Sequence, residues 1–594
     1  MLNFYDFEVF KFNWMVVINN PVNKEEKIIV DDVEELKKYY EAHKCEIWVG
    51  FNSRSYDQYI MKGLILGFNP KEINDFIIKE GNGGWEYSSL FNRIEFYNYD
   101  IMTDRNRGLK QLEAFMGDSI KETEVSFDID RPLTEVEIKE TIKYCKHDVE
   151  ETIKVFMNRK EEFESQMSLI KTFNLPLKYI SKTKAQLSAI ILETERVHNR
   201  KDEFNITLVD SIRLSKHMDI YNWYKNTRDT LLKDTELLNS LYKDETKKRK
   251  WYKSNQLNVD IMGVPHTFAW GGLHGARTNY IGEGRFINSD VTSFYPSLMI
   301  EYDFLSRNVR HAEKFKEIYD IRVDLKKQGK KKEQQPYKIV LNGTYGASKD
   351  KYNNLYDPLQ ANNVCINGQL MLLDLIEHVE TELPGATLIQ SNTDGVMFKL
   401  PNEESIKLYE EIADEWSERT RMGLEHDLIE RVVQKDVNNY IIVKKGGKIK
   451  SKGAYVKELN NLDNDLPIVN KALMDYFIKN TPVEETINNC DELIQFQMVV
   501  KASSKYKYAL HGDEIINEKI SRVFASRSRR DSGIFKLKND KNKPDKMAGT
   551  PENAFIENGD IKGLRVPRKL DKQWYINVAN KRVKDFIGKE NVHD

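Results

Sequence analysis

The strings SDVTSFYPSLM (residues 289–299), KIVLNGTYG (338–346) and SNTDG (391–395) follow one another along the chain. The first places a carboxylate, Asp290, at the end of an expected strand, and the third places a second, Asp394, in a tight turn closed by Gly395. Between them, Lys338, Asn342 and Tyr345 fall at i, i+4 and i+7 and so share one helix face. This is the equipment for in-line attack of a primer hydroxyl on a nucleotide α-phosphate: two Mg²⁺ ions between converging carboxylates, with a lysine to meet the triphosphate and a tyrosine as a flat wall for base or sugar. Tyr295, one turn after Asp290, stands where it would close off the space of a ribose 2′-hydroxyl, a steric means of choosing deoxynucleotides.

An earlier group has the composition for a second reaction of the same kind. Asp6 and Glu8 are two apart on an expected strand and leave one face of it. Asn52 and Asp57 lie in GFNSRSYDQYI, and Tyr144 and Asp148 are four apart on one helix. Four carboxylates suffice for two metal ions and attack by water, with the Tyr144 hydroxyl orienting that water. Each piece has an ordinary reading when taken alone: an aspartate before a turn is usually a cap, and a Lys/Asn/Tyr helix face is usually solvated. The order of the pieces separates the chemical reading from the ordinary one.

The elements that must carry these residues are α/β in kind. FYDFEVF, EIWVGF and RIEFYNYDIM read as strands, and a helix is expected from Thr134, which begins a Thr-x-x-Glu capping pattern with Glu137. Residues 176–255 are polar and helical in pattern, and the run KDETKKRKWYKSN is expected to be a connector or a solvated face. A Gly-rich turn, FAWGGLHGAR, precedes the strand RFINSD. The interval from Asp290 to Lys338 covers 48 positions (338 minus 290), room for a helical hairpin turning near Gly329. ATLIQSNTDGVMFKL reads as a strand hairpin, NNYIIVKK and GAYVKEL as strands, and the basic tail from about residue 480 as helix-rich.

With these residues in view, the chain resembles the family B DNA polymerases in their phage form. Motif A, D-x-x-S-L-Y-P-S, corresponds to residues 290–297 with Phe294 at the Leu position. Motif B, K-x-x-x-N-S-x-Y-G, corresponds to 338–346 with Gly343 at the Ser position. Motif C, D-T-D, appears as Asn392, Thr393, Asp394, and the family's essential second Asp is kept. The exonuclease motifs D-x-E, N-x-x-x-(F/Y)-D and Y-x-x-x-D match Asp6/Glu8, Asn52/Asp57 and Tyr144/Asp148, and a further exonuclease lysine falls near Lys121. WGGLHG (270–275) is similar to the family's glycine motif, which implies template contacts for Gly271 and Gly272. KGAY (452–455) resembles its lysine-tyrosine motif at the primer end, which implies DNA contacts for Lys452 and Tyr455, with Asn52 on the strand in the nuclease.

The resemblance implies a multidomain α/β fold: an RNase H-like 3′–5′ exonuclease domain (1–175), then a helical connector (176–255), and then a right-hand polymerase. The latter divides into palm (256–300), fingers (301–346), palm (347–480) and thumb (481–594). It implies DNA-directed DNA synthesis with proofreading, as a second sieve after insertion. The implied metal ligands are Asp290 and Asp394 in one site and Asp6, Glu8, Asp57 and Asp148 in the other, holding two Mg²⁺ each, with Mn²⁺ able to substitute. The implied nucleotide contacts are Lys338, Asn342, Tyr345 and Tyr295. The partners expected are primer–template DNA, dNTPs and other replication proteins, the enzyme itself being a monomer. Family members that start on a terminal protein carry insertions for which this chain has no room, so an ordinary nucleic-acid primer is expected.

Composition is compatible with this. A chain of 594 residues is too long for one core and suggests about four domains. The net charge of −2 is not that of a uniformly basic nucleic-acid binder, so basic grooves must be local. No apolar run approaches the ~20 residues that span a bilayer and the first ten residues carry acidic side chains, so a cytoplasmic protein is expected. Four scattered cysteines without a CxxC pair suit a reducing compartment and give no structural zinc motif. Abundant Lys, Asn and Ile point to an AT-rich genome and, with the motif forms, to a bacterial virus. Two rival readings are a nuclease whose polymerase half has decayed, motivated by Asn392, and a non-catalytic DNA-binding protein on an old enzyme fold.

Overall fold

The computed structural model describes residues 1–594 except Arg105, Asn199, Ala454, Ser504 and 589–594. The chain forms two compact units: Met1–Lys182 with Leu459–Ala579, and Thr183–Glu458 with Asn580–Asp594. This two-way division is coarser than the six segments expected from the motifs.

The first unit opens with a five-stranded sheet of β1 (Leu2–Val9), β2 (Trp14–Asn20), β3 (Glu25–Val30), β4 (Ile47–Gly50) and β5 (Tyr97–Asp100), in the order β3-β2-β1-β4-β5. β1 is central, antiparallel to β2 and parallel to β4. Tyr5, Phe7 and Val9 pack into one buried cluster with Trp48 and Ile60, whereas Phe4 packs into another with Cys145 and Phe156. With both faces covered, any carboxylate on β1 is drawn into a region of low polarity. The long helix Glu135–Asn158 covers one face, and its start follows expectation: Thr134 accepts from the Glu137 amide, and the Glu137 carboxylate accepts from Thr134 N–H.

In the second unit, nine antiparallel strands run in the order β14-β13-β12-β9-β11-β10-β8-β7-β6. They are β6 (Leu257–Ile261), β7 (Val264–Phe268), β8 (His274–Ala276), β9 (Tyr280–Val291), β10 (Thr387–Ser391), β11 (Gly395–Leu400), β12 (Leu424–Asp436), β13 (Asn439–Lys444) and β14 (Ile449–Lys452). The helical hairpin after β9 is Ala312–Lys327 and Gln335–Lys349, with Gly329 at φ +73° in its turn, a backbone region natural to glycine. The helix Pro358–Glu382 is buried along most of its length.

Three expectations about elements need correction. GAYVKEL, of which Ala454 lies outside the described residues, is otherwise not a strand: β14 ends at Lys452, Gly453 takes φ +107°, and the Val456 and Lys457 amides donate to the Gly453 carbonyl. The tail is mixed, with two sheets ahead of a closing helix, Lys572–Ile587. β15 (Met498–Lys501), β18 (Ile520–Ala525) and β21 (Ala554–Ile556) make one sheet, and β16 (Tyr506–His511), β17 (Glu514–Ile516), β19 (Ile534–Lys538) and β20 (Asp545–Lys546) another. YKYALH and IFKLK alternate polar with apolar or aromatic residues, the period-two pattern of a half-buried strand, and their lysines do not make them helical. The charged run before β6 forms the helix Glu245–Ser254 and is not wholly solvated, since Lys248 is buried against Glu203 at 3.2 Å. Among the described residues, no helix is long and apolar enough to cross a membrane.

Candidate active sites

In the second unit, β9 lies between β11 and β12, so Asp290 stands at the end of an interior strand with Gly395 opposite it on one side and Glu425 on the other. The Val291 amide donates to the Asp394 carbonyl at 2.7 Å, which fixes the hairpin turn against the end of β9 and brings the two predicted aspartates together. Gly395 is required by this approach: a Cβ there would fall 2.3 Å from Asp290 Oδ1 and 2.8 Å from the Ser289 carbonyl. Asn392, which stands where the family has an aspartate, accepts from the Asp394 amide at 3.1 Å through its side-chain oxygen and donates its own amide to the Gly395 carbonyl at 2.9 Å. Its amide group serves the turn. On the opposite face of β9, Ser289 Oγ is 2.7 Å from both Tyr409 Oη and His426 Nδ1, which anchors the strand end that presents Asp290.

Burial pushes the Asp290 carboxyl above its usual range. A hydrogen bond from Asn288 opposes the shift, the Asp394 charge adds to it, and Lys450 opposes it. Two mutually repelling hard-oxygen donors at one turn are a fit for a divalent cation.

A cavity of 450 Å³ adjoins this turn, lined by Asp394, Tyr295, Lys338, Asn342, Tyr345 and Arg322, among others. The helix Gln335–Lys349 thus presents all three of its predicted residues to one space. Tyr295 and Tyr345 meet with ring centroids 4.3 Å apart, and burial raises both phenols, so each remains a neutral hydroxyl. Arg322 was not foreseen. It is buried, bonds Ser293 Oγ and donates through Nε to Gln334 at 3.3 Å, and so adds a second cation beside Lys338. Gly343, where the family has serine, lies under the helix Lys184–Ile191, and a Cβ would come 2.9 Å from Ser188 Oγ. The substitution is explained by that helix contact.

The remaining DNA-contact candidates fall into different settings. Gly272 serves packing, since a Cβ there would lie 2.5 Å from Thr393 Oγ1 in the hairpin turn. Gly271 is open and lines a second cavity of 620 Å³ with Trp270, Tyr252, Lys349, Lys351 and the strongly exposed Tyr352. Lys452 reaches Asn438 Oδ1 at 3.4 Å, and the Tyr455 ring lies between Lys435 and Arg582, 5.2 and 4.8 Å from its centroid. The lysine whose charge acts on Asp290 is Lys450.

In the first unit, Asp6 and Glu8 leave the same face of β1 opposite Val17 and Met15 of β2. Asp57 is the first residue of the helix Asp57–Leu66, and its Oδ1 accepts from the Phe7 amide at 3.2 Å. That helix start favours a negative charge. Burial is the leading cause that raises all four carboxyls, Asp57 to about 7; the other carboxylates of the group add to it for Asp6 and Glu8. Glu8 is only 7% exposed, and its carboxylate has no hydrogen-bond donor among the described residues. Glu8, Asp57 and Asp148 are buried and Asp6 is half-buried, and donor atoms of Asp6 and Glu8 lie within 4.8 Å of one another, an arrangement that suits a divalent cation.

Tyr144 and Asp148 share the Glu135–Asn158 helix, where burial and then the Asp148 charge raise the Tyr144 phenol. Sequence reasoning missed Lys110. On the helix Leu109–Met116, its ammonium bonds Asp148, reaches Glu113 at 2.9 Å, and lies 4.7 Å from the Tyr144 ring centroid. Burial opposes its charge, but Asp148 and Glu113 outweigh it and raise its pKa. Lys121 is exposed, and the lysine at the cluster is Lys110. Asn52 is exposed at φ +61°, and its amide and that of Arg54 donate to Asp100, another residue not singled out in the sequence.

No family model matches the chain, and no curated protein matches it. Among solved structures, the chain is similar to the family B DNA polymerase from the hyperthermophilic archaeon Pyrobaculum calidifontis. The two are 12% identical with a TM-score of 0.43, covering 100% of this chain and 78% of that one.

Proposed function

We propose that this protein is a DNA-directed DNA polymerase that extends a nucleic-acid primer on a template, with a 3′–5′ exonuclease in its first unit. One observation carries the reading: Asp290 and Asp394 converge at the ends of neighbouring strands, beside a cavity lined by Arg322, Lys338, Asn342, Tyr345 and Tyr295. Two Mg²⁺ ions at Asp290 and Asp394 would supply the charge neutralisation and hydroxyl activation that nucleotidyl transfer needs. The chain's own residues do the rest. Arg322 and Lys338 meet the triphosphate, Arg322 held in place by Ser293 and Gln334. Tyr345 offers its ring to the base or sugar, and Tyr295, packed on it, limits the room beside the sugar. In the first unit, Asp6, Glu8, Asp57 and Asp148 form the cation site, and the Tyr144 hydroxyl orients the attacking water. Lys110 holds Asp148 in place and offsets charge there.

Primer extension by the purified protein with Mg²⁺ and dNTPs on an annealed primer–template tests this. Template-dependent addition supports it, and initiation on a protein hydroxyl with no use of an annealed primer sinks the priming mode. Asn392 closes the turn that presents Asp394, a role that supports an intact centre over a decayed one.

Two further outcomes follow from the geometry. Gly395→Ala drives a methyl into Asp290 Oδ1 and the Ser289 carbonyl, so addition should fall by about 10²-fold, the usual penalty for a misplacement near 1 Å, while trimming persists. Steady-state extension and trimming assays on that variant measure both. Tyr295→Val opens the wall beside the sugar and should weaken discrimination against ribonucleotides by roughly 10–200-fold, the worth of one lost steric contact. Competition between dNTP and rNTP at a single template position reads it; unchanged discrimination would remove Tyr295 from that role.

A further inference from the structure

A thiol stands among the carboxylates of the first unit. Cys145 follows Tyr144 on the Glu135–Asn158 helix, which turns its side chain by ~100° from the Tyr144 direction. Its Sγ lies 3.4 Å from the Asp6 carbonyl oxygen and 3.7 Å from Asp6 Oδ2. Donor atoms of Asp6, Glu8 and Cys145 all lie within 4.8 Å of one another. Packing beside Phe4, Val17 and Phe156 and a thiol hydrogen bond to the Asp6 carbonyl account for a small donor side chain at this position; the same sulfur also reaches the Asp6 carboxylate. The independent sign of a ligand is Glu8, more than nine-tenths buried, directed into the same space and, among the described residues, without a hydrogen-bond donor.

We propose that Cys145 makes this cluster a mixed oxygen–sulfur site that captures a thiophilic divalent cation, Zn²⁺ or Cd²⁺, between Asp6, Glu8 and the sulfur. Carboxylate oxygens alone suit Mg²⁺, whereas a thiolate adds strong preference for softer metals, and zinc commonly takes sulfur and carboxylate ligands together. On binding, the S–H bond breaks, its proton leaves to solvent, and a sulfur–metal bond forms with no change of oxidation state. In the second unit, the predicted ligands Asp290 and Asp394 supply oxygen only. The two centres should therefore differ in metal preference, strand trimming being open to capture by Zn²⁺ and nucleotide addition much less so. The inference rests on the nuclease reading only in taking the carboxylates as a cation site.

Titration of the full-length protein with Co²⁺ tests it, because thiolate ligation gives a near-ultraviolet charge-transfer band that oxygen ligation lacks. The wild type should develop the band to saturation; Cys145→Ala should lose it, with Zn²⁺ affinity lowered about tenfold or more. Cys145→Ser, which keeps the side chain's size, should also lose the band, and it serves if the alanine variant does not fold. A band of equal strength in either folded variant, or Co²⁺ bound to the wild type without a band, overturns the proposal. Failure of the nuclease reading shows separately, as absence of Mg²⁺-dependent trimming by the wild type whatever the spectrum.

Discussion

Asp290→Ala loses nucleotide addition by roughly 10³-fold or more and keeps 3′–5′ trimming, and Asp6→Ala does the reverse. A catalytic metal contributes several kcal/mol to a phosphoryl transition state, and each ~1.4 kcal/mol is a factor of ten. Removing one carboxylate of a pair takes away most of that contribution. The two losses should be independent because the carboxylates belong to different compact units, each with its own sheet. The alanine is accommodated at either position: Asp290 is flanked by a glycine, and Asp6→Ala relieves repulsion among buried acids. Extension and trimming on one labelled primer–template, with Tm recorded for each variant, would separate chemistry from unfolding. Unaltered addition by Asp290→Ala would remove the assignment of that residue and, with it, the proposed polymerase centre.

Without divalent cations, the first unit should lose stability as pH rises, and Mg²⁺ should restore it. Asp6, Glu8, Asp57 and Asp148 all bind protons more tightly in the fold than ordinary carboxyls do, Asp57 moving from 3.8 to about 7. The unfolded chain releases these protons first, so the contribution favouring the fold is full below the ordinary carboxylate pKa and is lost as pH climbs through the raised values. At ~1.4 kcal/mol per pKa unit, Asp57 alone accounts for at most roughly 4 kcal/mol of this loss. In chelator, Tm should fall between about pH 4 and about pH 7, and the increment given by Mg²⁺ should grow over the same window. Asp57→Asn should raise Tm in chelator at the upper end of that window and shrink the Mg²⁺ increment. Thermal melts across pH with and without Mg²⁺ read all of this; an increment independent of pH would show that these carboxyls do not form the cation site.

The parts of both sites legible in the sequence were those fixed by local periodicity. Asp6 with Glu8, Tyr144 with Asp148, and Lys338 with Asn342 and Tyr345 needed only the spacing of a strand or a helix, and the Thr134 cap needed four residues. The convergence of Asp290 and Asp394 required one further step, that β9 and β11 be neighbours, and the register supplies it. Lys110 and Arg322 were illegible for the opposite reason. Each is an ordinary cation on a helix, and its meaning comes from a partner 38 or 29 positions away. Asp100 and Cys145 likewise acquire their roles only when another segment arrives. The tail misled because its lysines suggest a solvated helix, while the aromatic and β-branched residues between them build two small sheets.

The discontinuous first unit has a consequence for synthesis. Arg522, fully buried, donates its guanidinium hydrogens to the Asp118 and Ala114 carbonyls 404 and 408 positions earlier, and Ile520 packs against Ala114 and Ile120. At ~5–20 residues per second, a ribosome takes on the order of 20–80 s to make the intervening stretch. During that interval the helix Leu109–Met116 and the residues after it carry an uncovered apolar patch and unsatisfied carbonyls, which must wait, shielded by chaperones or by transient collapse, for strands that do not yet exist.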